Sequence, residues 1–233
     1  MKKWKNRMVL GVIAITMALG LALSPGLAKA TDLTLQDLIN LGATGYQIDD
    51  KLFYGFTYTP AGKAPSASDI TAVPITTSGN PGWKFVAAWA VTAGQSLDSD
   101  ITYFVKVLPG GSPIVDIYAL IAGAGFLNSG FVSLSENVFD ETVPPPNNIA
   151  NITLLVNSST NLLNQEIDYI NGGYSGPLFV VKDIILNGED GFAALSFVEN
   201  QYSEKIPEPM SLILLGSGLA GVGLYRRLRK PKG

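Results

Sequence analysis

The sequence predicts an all-β fold: a two-sheet β-sandwich, jelly-roll-like or Greek-key, with one short N-terminal helix and, beyond the domain, a C-terminal transmembrane helix. Three observations predict it. From Tyr46 onward, runs of β-branched and aromatic residues are separated by Gly, Pro, Asn and Asp clusters. Several of these runs alternate with period two: Trp83, Phe85, Ala87, Trp89 and Val91 share one face, as do Ile101, Tyr103, Val105 and Val107. Near the C-terminus, the 16 uncharged residues Met210–Tyr225 are followed at once by a cluster of cations. An up-and-down barrel is the alternative arrangement of the strands.

Residues 1–30 read as a secretory signal peptide. Lys2, Lys3, Lys5 and Arg7 precede an apolar run from Met8 to Leu23, and Ala28 and Ala30 supply the small side chains that a signal peptidase cleft accepts. The mature chain is then expected to start at Thr31, the alternative being an uncleaved N-terminal anchor. In the segment that follows, Thr34 caps a helix over residues 35–41, with Asp37 three residues on and Gly42 as its stop.

Nine strands are expected, at 52–59, 69–76, 83–93, 101–108, 114–122, 131–139, 151–157, 178–186 and 192–202. Apart from Asp116, the run Ile114–Ile121 is apolar on both faces and predicts a central strand covered on either side. Asn187-Gly188-Glu189-Asp190-Gly191 predicts a tight hairpin between the last two strands, with its glycines and Asn at positive φ. Residues 160–170 fit a helical turn through Leu163, Ile167 and Ile170, and strand alternation equally well.

Composition excludes much chemistry. With no Cys and no His, the chain has no Ser-His-Asp or Cys-His catalysis, no imidazole or thiolate zinc site, and no disulfides. Residues 31–206 hold six lysines, no arginine and 18 carboxylates, a balance that repels phosphate backbones and excludes nucleic acid as a partner. Carboxylates, lysines and tyrosines remain as acids and bases, so a glycosidase is the enzyme class still permitted.

The 16 uncharged residues would reach about 24 Å as a helix, enough to span a thinned bilayer with snorkelling arginines. Arg226, Arg227, Arg229 and Lys230 form the basic stop that holds the far end on the cytoplasmic side. Before the span stands Pro207-Glu208-Pro209, whose prolines favour an extended backbone that a processing enzyme can grip. This order of tripeptide, glycine-rich apolar span and arginine cluster, over residues 206–233, resembles the PEP-CTERM sorting domain. The resemblance implies an exosortase substrate, made by Gram-negative bacteria that build exopolysaccharide and biofilm matrix, with Pro207, Glu208 and Pro209 as the recognition element. It further implies a precursor anchored in the inner membrane, with the acidic domain (31–205) in the periplasm and a final destination at the cell surface or outside it. An ordinary C-terminal anchor is the alternative.

Candidate sites within the domain are few. Asp49-Asp50 reads as a turn and Glu189-Asp190 as a hairpin tip. Asp98 and Asp100 could offer two oxygens to calcium but lack the remaining positions of an EF-hand loop. Trp83 and Trp89 share a strand face, as sugar-stacking rings do, but core packing is the preferred account, since aromatic residues dominate ordinary cores. The expectation is a non-enzymatic, cofactor-free surface or matrix protein, with exopolysaccharide as a candidate partner. A carbohydrate-binding module is the alternative, and a carboxylate-dependent hydrolase ranks below it. An aromatic strip on an open sheet face would favour sugar binding, and a carboxylate pair in a cleft would favour hydrolysis; neither is expected.

Overall fold

The computed structural model describes residues 33–77, 79–141, 147–157 and 165–204. The signal peptide, with Ala28 and Ala30, and the tail, with Pro207, Glu208, Pro209 and the basic stop, lie outside the described residues. Among those described, no helix is long and apolar enough to cross a membrane.

Two antiparallel sheets carry the fold. In chain order the elements are β1 (Leu33–Thr34), α1 (Leu35–Leu41), β2 (Tyr46–Ile48), β3 (Lys51–Gly62), β4 (Thr71–Ile75), β5 (Gly82–Thr92), β6 (Ser96–Val107), β7 (Ile114–Ala122), β8 (Gly125–Leu127), β9 (Phe131–Asp140), β10 (Asn147–Asn157), β11 (Gln165–Tyr174), β12 (Leu178–Asn187) and β13 (Phe192–Glu204). One sheet runs β1-β4-β5-β13-β7-β11, with β8 beside β13, and the other runs β10-β9-β12-β6-β3-β2. All nine expected strands are present. The ambiguous stretch around residue 165 is a strand, because its backbone completes the edge of the first sheet against β7.

Helix α1 forms as its sequence requires. The Thr34 hydroxyl accepts from the Asp37 amide at 3.1 Å, while the Asp37 carboxylate accepts from the Thr34 amide at 2.8 Å, so two orphan donors are satisfied. That second bond holds the Asp37 carboxyl below its usual range. Leu35 and Leu38 point inward, and Gly42, at φ 52°, ends the helix.

The expected hairpin between β12 and β13 does not form. β12 inserts between β9 and β6 in one sheet, and β13 between β5 and β7 in the other, so Asn187–Gly191 is a crossover between sheets. Glu189 takes the positive φ, at 41°, and the glycines are needed for close approach instead. A Cβ on Gly188 would stand 2.2 Å from the Thr92 carbonyl oxygen, and one on Gly191 would stand 2.1 Å from that of Leu127. Beside this crossover, the Asp190 carboxylate accepts from the Ser129 amide at 3.0 Å, which keeps that carboxyl below its usual range.

The facing sides of the sheets fill one core. Trp83, Phe85, Trp89 and Val91 of β5 point into it, with Ile101, Tyr103 and Val105 of β6 opposite. β7 has neighbours on both edges, but only Ile114, Ile117, Ala119 and Ile121 are buried; Val115, Tyr118 and Leu120 are half-exposed, so one of its faces lies open. At one end of the sandwich, Lys51 reaches from β3 across to Glu204 of β13 at 2.6 Å and also pairs with Asp50. At the other margin, Asp168 and Glu166 of β11 accept the outward amides of Asn151 and Thr153, which blunts the free edge of β10.

Candidate functional site

Side chains alternate along each strand of the six-stranded sheet, so every second residue stands on its outer face. Register aligns four of these across four strands: Tyr54 of β3 lies opposite Phe104 of β6, Phe104 opposite Phe179 of β12, and Phe179 opposite Phe139 of β9. All four rings are half-exposed. Centroids of Tyr54 and Phe104 lie 5.2 Å apart in a stacked pair, Phe104 and Phe179 are 5.0 Å apart, and Phe179 and Phe139 are 6.3 Å apart. The ammonium of Lys106 sits 5.2 Å above the Tyr54 ring. Burial, and then the charge of Glu141, raises the Tyr54 hydroxyl above its usual pKa.

A bulge in β3 keeps this row continuous. Gly55 adopts φ 64°, and a Cβ there would meet the Phe104 ring at 3.0 Å, so only glycine leaves that ring its place. Alongside the row lie two polar groups on either side of Val181: the hydroxyls of Thr57 and Thr102 are bonded at 2.7 Å, and Asn137 accepts from Asn148 at 3.0 Å and from Asn151 at 2.7 Å. The face therefore joins flat apolar rings to uncharged donors and acceptors, the pairing that sugar rings and their hydroxyls demand.

About 13 Å further along the same strands stand three carboxylates. Asp183 of β12 lies opposite Asp100 of β6, and Asp98 is two residues from Asp100 on the same face. One oxygen from each lies within 4.8 Å of the others. Desolvation, then the charges of Asp98 and Asp100 and a hydrogen bond with Asp98, pushes the Asp183 carboxyl up to about 6. Burial and the charge of Asp98 raise Asp100 as well. Oδ1 of Asp98 and of Asp183 are buried without a hydrogen-bond partner. Like charges this close disfavour one another's ionisation, and the three oxygens also match part of the shell of six to eight that calcium takes.

The structure thus brings Asp98 and Asp100 together and adds Asp183, a residue that strand periodicity alone does not place beside them. Trp83 and Trp89 lie in the core with no exposed ring face; Trp83 packs edge-on against Phe53 and Phe56, and the Trp89 indole donates to Ser99 at 3.3 Å. Contrary to expectation, an aromatic strip does stand on an open sheet face, built from one tyrosine and three phenylalanines. Its signal in the sequence was the out-of-phase partner of each core residue: Phe104 beside Tyr103, and Phe179 beside Leu178. The carboxylate trio stands on the sheet face. A depression between α1 and β3, lined by Gln36, Ile39, Thr57 and Tyr58 among others, has no carboxylate in its wall.

No protein-family model and no curated protein matches this chain. Among solved structures it is similar to TmCBM61 in complex with β-1,4-galactotriose, at 11% identity, over 63% of this chain and 88% of that one, with a TM-score of 0.30. A likeness of that size assigns no ligand to this chain.

Proposed function

We propose that this chain is an exported, non-enzymatic surface protein that binds neutral polysaccharide along the outer face of its six-stranded sheet. The observation that carries the reading is the row Tyr54, Phe104, Phe179 and Phe139, spaced at 5.0 to 6.3 Å on an open face and flanked by Thr and Asn side chains. Successive rings at that spacing suit successive units of an extended glycan. Asp98, Asp100 and Asp183, on the same face, would repel a uronate chain, so the ligand is a neutral one.

Delivery rests on the two ends. Residues 1–30 direct export, and residues 206–233, with Pro207-Glu208-Pro209 and the basic stop, present the precursor to an exosortase at the inner membrane. The destination is then the cell surface or the polysaccharide matrix, where a binding face has its use.

Affinity electrophoresis of the full chain in gels containing neutral β-glucan or β-galactan, with alginate as the anionic control, tests the binding face. Retardation by a neutral glycan that Phe104→Ala/Phe179→Ala abolishes is expected. Retardation left intact by that double change, or seen with alginate alone, sinks the assignment. Delivery is tested by terminal peptide sequencing of protein recovered from membranes and medium of an exosortase-bearing host. The expected product starts at Thr31 and ends near Pro207–Pro209, whereas a product that keeps Arg226 to Gly233 refutes processing.

A further inference from the structure

Opposite the aromatic row, on the inner face of the same sheet, three polar side chains are sealed in the core. Lys182 of β12 and Asn200 of β13 are fully buried and Glu136 of β9 is 1% exposed. Lys182 and Glu136 are cross-strand neighbours in the six-stranded sheet, while Asn200 reaches in from the other sheet. A single oxygen, Oε2 of Glu136, accepts both from the Lys182 amine at 2.6 Å and from the Asn200 carboxamide nitrogen. An amine and a carboxamide gripped by one carboxylate oxygen are held side by side. Oε1 of Glu136 and Oδ1 of Asn200 are left buried without hydrogen-bond partners.

The surroundings favour a reaction between them. Burial lowers the Lys182 amine from its usual range, against the pull of the Glu136 charge, and a neutral amine is the nucleophilic form. Tyr103 and Tyr202 lie in the same core with their hydroxyls bonded to each other at 2.6 Å, and burial holds both well above the usual tyrosine range, so both remain neutral. Fixed neighbours in a dry site react as if at very high concentration.

We propose that Nζ of Lys182 condenses with Cγ of Asn200, with Glu136 as the proton carrier, to form an isopeptide bond that staples the two sheets together. The ammonium first gives a proton to the Glu136 carboxylate. The carboxamide then turns to bring Oδ1 of Asn200 to the Glu136 acid, which polarises the carbonyl while the free amine attacks Cγ. The C–Nδ2 bond then breaks as one of the two remaining amine protons moves by way of Glu136 to the leaving nitrogen, the other staying as the amide hydrogen. Ammonium, carboxylate and carboxamide become a secondary amide, a carboxylic acid and one ammonia, with charge and hydrogens balanced and no co-reactant. The product also pairs the two orphaned oxygens, since the Glu136 acid can donate to the new amide carbonyl. Loss of ammonia to bulk water makes the step irreversible. This bond is independent of glycan binding.

Mass spectrometry of the full chain tests it. Folded protein is expected to be lighter than its sequence, after terminal processing, by one ammonia, and digestion should yield a branched peptide joining Lys182 to Asn200. Glu136→Gln, which keeps the shape of the side chain, should retain the strand spectrum in circular dichroism and give only linear peptides. Asn200→Asp should still cross-link, but by losing water. Folded wild-type protein with linear Lys182 and Asn200 peptides overturns the proposal. So does an ammonia loss that maps to a succinimide at Asn171-Gly172 or Asn187-Gly188.

Discussion

The two faces of the six-stranded sheet break the usual division of residues in opposite ways. On β12, Phe179 stands outside while Lys182, three residues on, stands inside. The violations differ in weight. An exposed ring costs little, and much of any protein surface is apolar, so a lone Phe179 would mean nothing; what informs is its continuation through Tyr54, Phe104 and Phe139 over four strands. A buried charge costs several kcal/mol, about as much as a whole domain has to spare, so Lys182 is informative by itself. The outer face thus carries its meaning as a pattern, and the inner face as a single constellation.

The largest expected effect tests the inner face. Lys182→Met leaves the carboxyl of Glu136 without its cation in a dry core and removes any cross-link through that amine. Urea unfolding should show a loss of about 3–5 kcal/mol. Lys84 of β5, in the seven-stranded sheet, provides the exposed counterpart, since it lies 3.6 Å from Glu199 and 4.6 Å above the Phe197 ring. Lys84→Met should cost less than about 1 kcal/mol. Equal losses from the two substitutions would mean that the inner lysine is hydrated, and the contrast between the faces would fall.

The next effect tests the outer face. Phe104→Ala/Phe179→Ala should lower affinity for the neutral glycan about tenfold or more, a change of at least about 1.4 kcal/mol. Each half-buried ring should cost about 1–2 kcal/mol of stability. Calorimetric titration and urea unfolding of the same protein separate the two quantities. Were stability to fall by several kcal/mol per ring, the row would be a second core with a cover of its own, and no longer a binding face.

Period two made the strands legible and placed Trp83, Phe85, Trp89 and Val91 on one side, but periodicity does not say which side is the core. Trp83 and Trp89, the largest apolar side chains, went inward, and the rings left outside were Tyr54, Phe104, Phe139 and Phe179. The charged core was hidden for a different reason. Glu136, Lys182 and Asn200 come from three strands spread over 64 residues, and only the crossing of β12 and β13 into separate sheets brings them together. The same crossover defeated the hairpin prediction, because Gly188 and Gly191 suit a tight turn and a tight passage between sheets alike. Helix α1 lay at the other extreme: its capping box is written in four consecutive residues, so no distant contact was needed to read it.

The smallest effect is one of pH, and it belongs to the outer face alone. Asp183 titrates near 6 when folded, above the ordinary carboxyl value of 3.8, because of its desolvation and the carboxylates of Asp98 and Asp100. The folded state therefore binds its proton more tightly than the unfolded chain does. Stability from this group is fully present below about 3.8 and is lost as pH rises through about 6. The side chain is partly open to water, so screening reduces the contribution to less than about 1 kcal/mol. Asp183→Asn removes the titrating group and keeps the shape. It should flatten the decline in melting temperature between pH 4 and pH 7 (about 4 and about 7 bracket the titration) and raise stability at the upper end. A decline that persists in Asp183→Asn would transfer the pH dependence to Glu204, which burial and its bond with Asp50 hold above its usual range at the end of the sandwich; Asp50, held below its usual range, gives the opposite slope. The outer face would then keep its aromatic row, but its three carboxylates would have no part in stability.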